Sequence, residues 1–169
     1  MNSNLKTLNI GGLSANLPII QGGMGVGISL SGLASAVANE GGVGVIAAAS
    51  IGMFEPDFAN DFIKANVVAL KKEIRKARQM TKGIIGVNVM VALTNFADMV
   101  KTAIDEGIDI IFSGAGLPLN LPQYLKKNDR TKLVPIVSSP RAAAVITKHW
   151  LKKYNYLPDA FVVEGPLAG

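Results

Sequence analysis

Glycine is concentrated early in the chain: eleven of the 18 glycines precede Phe54. The densest run is Gly22-Gly23-Met24-Gly25. Without Cβ atoms, such a run lets backbone approach a flat or charged ligand closely. Its exposed N–H groups can also hold an anion. A tight turn alone would need only one or two of these glycines. Asn88 interrupts the apolar run Ile84-Ile85-Gly86-Val87-Asn88-Val89-Met90-Val91. A carboxamide there must be hydrogen-bonded, either within the protein or to a heterocycle or phosphate. Ser113-Gly114-Ala115-Gly116 and Ser138-Ser139 offer hydroxyls and N–H groups that suit a phosphate. They equally suit helix caps, above all Ser139 before Pro140. Glu164 has no basic neighbour in sequence. It is either half of an ion pair or an acceptor for a ligand hydrogen bond.

Other chemistries lack their residues. There is no cysteine, which excludes disulfides, thiolate metal sites and a cysteine nucleophile. The one histidine, His149, lies beside Trp150 in a helical pattern. That is far from any Ser–His arrangement or histidine metal spacing. Chemistry here falls to a cofactor or to residues outside the chain.

The elements that must carry these clusters alternate. Apolar runs at residues 17–21, 43–47, 84–91, 108–112, 133–137 and 160–163 read as strands. Helical spacing marks residues 30–39, with Ser29 as cap and Gly41-Gly42 as stop. A long helix is expected from Glu55-Pro56-Asp57 to Gly83, with Phe58, Phe62, Ile63, Val67, Leu70, Ile74 and Ala77 as its apolar stripe. Further helices are expected from Thr94 or Asn95 to Glu106, around 122–127, and from Pro140 through Leu151. Strands that are apolar throughout are buried on both faces, which means a parallel sheet.

Two folds offer that alternation. A dinucleotide-binding sheet needs G-x-G-x-x-G in its first strand-to-helix turn. Gly42-Val43-Gly44-Val45-Ile46-Ala47 fits a variant of that pattern by letter, but it occupies a strand. The polar and glycine-rich clusters recur at the C-terminal end of every strand, where a TIM barrel builds its sites. The pattern therefore favours an α/β fold of the (β/α)8 TIM-barrel type, incomplete here at about six βα units. Residues 1–169 form one domain in this reading, with no linker or low-complexity segment.

Composition narrows the setting. Hydrophobic residues make up 49% and charged residues 17%, and mean hydropathy is +0.34. That excludes a disordered chain. No apolar run reaches the ~18 residues of a membrane span, so no membrane partner is expected. The first ten residues lack a secretory pattern, so a cytoplasmic location is expected. Net charge is +5, from 17 basic and 12 acidic residues. Between Lys71 and Lys82 lie six basic residues and one acid, Glu73, which accounts for the whole excess. That is a solvated helix face near a C-terminal dipole. Lacking aromatic neighbours, it is not a nucleic-acid surface.

Pro18-Ile19-Ile20-Gln21-Gly22-Gly23-Met24, followed by Ala36-Val37-Ala38-Asn39-Glu40-Gly41-Gly42-Val43-Gly44-Val45-Ile46, strongly resembles the opening of the nitronate monooxygenase family. Those enzymes were formerly called 2-nitropropane dioxygenases, and the family includes flavin-dependent type II enoyl-acyl-carrier-protein reductases. Gly86-Val87-Asn88, Phe112-Ser113-Gly114-Ala115-Gly116, Pro135-Ile136-Val137-Ser138 and Val163-Glu164-Gly165-Pro166-Leu167-Ala168-Gly169 follow in the family's order. The resemblance implies an FMN-binding TIM barrel. It puts Gly22, Gly23 and Met24 against the flavin and makes Asn88 a hydrogen-bond partner of it. It makes Gly169 a backbone contact and sets Glu164 at a variable cofactor-side position. That position is often Gln or Asp in monooxygenase-like members and Glu in reductase-like ones. Leu167 departs from a position that is often Glu.

The implied substrate is a small molecule, either an alkyl nitronate oxidised with O2 or an enoyl thioester reduced with NAD(P)H. A homodimer is one assembly consistent with it. The family's catalytic histidine follows a Gly-Gly pair, of which this chain reaches the first member, Gly169. No catalytic residue is therefore expected within the chain, which reads as an inactive N-terminal portion of a longer enzyme.

Overall fold

The computed structural model describes residues 5–165. The chain opens with an antiparallel hairpin, β1 (Leu8–Ile10) and β2 (Leu13–Ala15), turned by Gly11 and Gly12 at φ +52° and +89°. Both turn residues take positive φ, as tight hairpin turns require. The sequence reading begins its elements at residue 17 and misses this hairpin. Its signal is the glycine pair between two short alternating segments.

Five parallel strands follow: β3 (Val43–Ala47), β4 (Ile84–Met90), β5 (Ile110–Gly114), β6 (Lys132–Val137) and β7 (Val162–Val163). Their order in the sheet is their order in the chain. That decides between the two folds. A doubly wound sheet reverses direction at a switch point, whereas here each strand adds to the same edge, giving a curled half-barrel. The segment expected as the first strand makes only one bridge, Ile20 to Val43. Pro18 has no N–H to extend that ladder.

The sheet separates two cores. On its outer face Ile46, Ile85, Val87, Val89, Ile111 and Leu133 pack against the helices α1 (Ser31–Asn39), α2 (Phe62–Met80), α3 (Phe96–Asp105) and α4 (Pro140–Tyr154). The inner face gathers Val43, Val45, Ile110, Phe112 and Val134 with Ile10 and Ala15 of the hairpin. The hairpin thus plugs the N-terminal end of the barrel interior. Period-two alternation sends successive side chains to opposite cores. Gly44 points at α1, where an added Cβ would meet the Ala34 backbone oxygen. The glycine that fits a nucleotide-binding pattern by letter therefore serves strand-to-helix packing.

Several helix boundaries differ from the sequence reading. α2 begins at Phe62, capped by Asp61, whose carboxylate accepts from Lys64 N at 2.9 Å. Phe58 lies before the helix, because residues 51–60 are held in successive turns, among them Phe58 N to Glu55 O and Asp61 N to Asp57 O. The buried stripe is rotated accordingly: Ala65, Asn66 and Ala69 are buried, whereas Ile63 is exposed. The segment near 122–127 is a single 3-10 turn, Leu121–Tyr124. Asn95 stands at the start of α3 without a side-chain cap bond. Ser139 caps α4 as expected, accepting from Ala142 N at 3.2 Å.

Ser29 does not cap α1. The N-cap position falls on Leu30, one residue later, which has no capping side chain. Glu73 reaches across from α2 and accepts the Ser31 N–H at 2.8 Å. The one acid in the basic run thus satisfies an orphan donor at the positive end of another helix. Its basic neighbours also make local ties: Lys72 to Glu55, Arg75 to Glu106 and Arg78 to Asp109.

The lower rim repeats one device. Asp109 precedes β5 and accepts Ile85 N of β4 at 2.8 Å. Asp159 precedes β7 and accepts Leu133 N of β6 at the same distance. In both, the aspartate N–H returns a bond to the same residue's carbonyl at 3.1 Å.

Candidate functional site

The C-terminal ends of the strands open into a cleft of about 640 Å³. One wall is the segment after the first bridge, Ile20, Gln21, Gly22, Gly23 and Met24. The rest comes from inward-facing strand positions: Val45, Asn88, Phe112, Ile136, Val162 and Glu164. Parallel register produces this grouping, since Asn88 pairs with Phe112 and Ile136 with Val162. Five of the six residues singled out from sequence as cofactor contacts, Gly22, Gly23, Met24, Asn88 and Glu164, therefore meet at one cavity. The sixth, Gly169, lies outside the described residues.

The glycine wall packs directly on the asparagine. A Cβ added at Gly23 would stand 2.6 Å from Asn88 Cβ, so only glycine fits. Asn88 is half-buried, and its carboxamide makes no hydrogen bond among the described residues. Glu164 is exposed at the cleft mouth and takes part in no ion pair among the described residues. Its backbone N–H bonds Val137 O at 2.9 Å, continuing the β6–β7 ladder.

Other candidates resolve differently. Ser113 is fully buried and donates to Val89 O at 3.0 Å, so its hydroxyl is committed within the sheet. Ser139 is a helix cap. His149 lies on α4, tilted against Tyr154 at 6.2 Å, away from the cleft. Among the described residues no cluster of three or more His, Asp or Glu could hold a metal ion, and no helix is long and apolar enough to cross a membrane.

The sequence reading missed the cleft's apolar floor: Val45, Phe112, Ile136 and Val162. Counting back two from Glu164 finds Val162, but Val45, Phe112 and Ile136 lie on other strands and join the floor only through the register of the sheet. It also missed the strain at the rim. Val26, Ser50 and Ala115 adopt φ of 55°, 51° and 53°, and for a β-branched residue such as Val26 that is a true outlier. Such outliers gather where function over-determines the backbone.

A polar edge, a backbone wall without side chains and an apolar floor could together hold a flat heterocycle. A family model described as nitronate monooxygenase matches residues 6–169. The chain belongs to the nitronate monooxygenase family. Solved structures agree in fold. FabK from Thermotoga maritima is similar at 29% identity, with a TM-score of 0.67 over 89% of this chain and 41% of that one. Its M276A mutant gives 29% identity and a TM-score of 0.71 over 92% and 44%. The nitroalkane oxidase of Streptomyces ansochromogenes gives 19% identity and a TM-score of 0.70 over 92% and 48%. The chain thus spans less than half the length of these structures. No curated protein matches it.

Proposed function

We propose that this chain forms the flavin-binding wall of an FMN-dependent oxidoreductase that oxidises alkyl nitronates with O2. The observation that carries this reading is the Gly22-Gly23-Met24 wall packed on the Asn88 carboxamide, which has no hydrogen-bond partner among the described residues, over an apolar floor. These residues fit FMN. The isoalloxazine is flat, with one edge of carbonyl and N–H groups, and a carboxamide offers both donors and acceptors to such an edge. Glycine at position 23 leaves room beside Asn88 that a side chain would fill.

FMN, when bound, supplies the electron acceptor for substrate oxidation. This chain's residues position it. Gly22, Gly23 and Met24 bound one side, Asn88 holds the polar edge, and Val45, Phe112, Ile136 and Val162 keep water from the floor. Glu164 accepts a hydrogen bond at the mouth. No catalytic base is assigned to this chain.

The likeness to FabK favours a second reading, NAD(P)H-dependent reduction of an enoyl thioester on the same barrel. The two separate in one assay on the full-length protein. The first expects nitronate-dependent O2 consumption without nicotinamide. The second expects NAD(P)H oxidation driven by an enoyl thioester. Absence of a flavin spectrum after FMN addition and desalting would overturn both.

A further inference from the structure

Resting on the FMN reading, we infer that Ser29, together with Gln21, is the positioning residue that shapes Gly22-Gly23-Met24 for the flavin. Ser29 is fully buried at the far end of the loop. Its Oγ accepts from Met24 N at 2.9 Å and from Gln21 Nε2 at 2.9 Å, and donates to Gly22 O at 3.2 Å. A hydroxyl has one donor and two acceptor sites, so all of its capacity goes to this loop. Its main chain closes the same ring, with Ser29 N to Met24 O and Ala47 N to Ser29 O, both at 2.9 Å.

Gln21 ties the ring to the sheet. The short parallel ladder runs from Val43 N to Ile19 O and from Gln21 N to Val43 O. Its next bond would run from Val45 N to the Gln21 main-chain carbonyl. The side chain takes that place instead, Oε1 accepting Val45 N at 3.0 Å. The chain is thereby free to leave the sheet at residue 21 without an unpaired donor on β3. The other end of the carboxamide donates to Gly22 O at 2.6 Å.

Gly22 O is consequently held by two donors, Gln21 Nε2 and Ser29 Oγ. In a planar trans peptide the carbonyl and the following N–H point opposite ways. The hub thus aims Gly23 N–H away from itself, and that group has no acceptor among the described residues. Two side chains, Ser29 outside the cleft lining and Gln21 at its edge, set the direction of a backbone donor on the cleft wall. This also explains why Ser29 leaves the capping of α1 to Glu73.

The test compares Ser29→Ala, Ser29→Thr, Gln21→Met and the Ser29→Ala/Gln21→Met double variant in the full-length protein. The readouts are the FMN Kd, the visible circular dichroism of the bound flavin and amide exchange in the apoprotein. Losing the hub is expected to raise the FMN Kd about tenfold in each single loss variant. The double variant should be no worse than the weaker-binding single, and Ser29→Thr should recover most of the affinity. Exchange at Met24 should accelerate in Ser29→Ala, and at Val45 in Gln21→Met, while β4 and β5 stay protected. An unchanged FMN Kd and flavin dichroism despite faster Met24 exchange would overturn the positioning role. So would additive losses. If Ser29→Ala does not fold, Gln21→Met and Ser29→Thr decide the same question. Wild-type protein that binds no FMN would overturn the functional reading instead, and Met24 exchange would still report whether the hub holds the loop.

Discussion

Gly22 and Gly23 are adjacent yet face different surroundings. A Cβ at Gly22 meets nothing within 4 Å, whereas one at Gly23 falls 2.6 Å from Asn88 Cβ and 3.1 Å from its Cγ. Gly23→Ala should therefore cost about 1–3 kcal/mol in urea unfolding. Gly22→Ala should stay within about 0.5 kcal/mol of wild type. Asn88 separates binding from stability in another way. Its carboxamide has no hydrogen-bond partner among the described residues, so Asn88→Ala should leave stability within about 0.5 kcal/mol while raising the FMN Kd about tenfold. Flavin fluorescence titration beside urea unfolding checks both halves. From sequence, Asn88 stood out because it broke an apolar run, but whether it was satisfied could only be read from its neighbours.

Helix α2 links units that sequence treats as separate. Asn66 Oδ1 accepts Gly52 N at 3.0 Å, and Glu73 Oε2 accepts Ser31 N at 2.8 Å. Seven residues apart, they lie two turns along one face and hold the loops after the first bridge and after β3. Glu73→Ala should cost about 1 kcal/mol, the usual worth of a helix cap, and Glu73→Gln less, since an acceptor remains. Thermal unfolding of the two variants measures the difference. Between β6 and β7 the tie is Tyr156, which donates to Asp159. Burial, then that hydrogen bond and the Asp159 charge, raise the Tyr156 phenol well above its ordinary value. A group whose pKa is raised on folding contributes fully below its unfolded value, about 10. That contribution is lost as pH rises through the folded value. The stability gap between wild type and Tyr156→Phe should be about 1 kcal/mol near neutrality and narrow above pH ~10. Urea unfolding across pH 7 to 11 tests the sign.

Across the whole molecule, the cleft is assembled from residues spread between Ile20 and Glu164. A ligand there bridges the outermost segments of the sheet, so binding and global stability are coupled. Free FMN at a hundred times its Kd should stabilise the folded protein by about 2.7 kcal/mol. A thermal shift series should show a melting temperature that rises with the logarithm of FMN concentration. Riboflavin in place of FMN separates the isoalloxazine contribution from that of the phosphate.

Composition and periodicity alone determined the alternation of strands and helices, and with it a parallel sheet. Apolar runs without polar alternation leave no other way to bury both faces. Sequence also placed Gly22, Gly23, Met24, Asn88 and Glu164 at strand ends, because residues that break an apolar run are visible one at a time. The polar clusters at every strand end also favoured a barrel over a doubly wound sheet, and the order in which the strands pair, a long-range choice, bears that out. Sequence could not show that Ser29 turns back to its own loop while Glu73, 42 residues from Ser31, caps the helix in its place. A serine before a helix reads locally as a cap, and only the packed structure reveals a competing set of donors within its reach. Hydrogen bonds are allotted by proximity in space, and that allotment is what the tertiary structure decided.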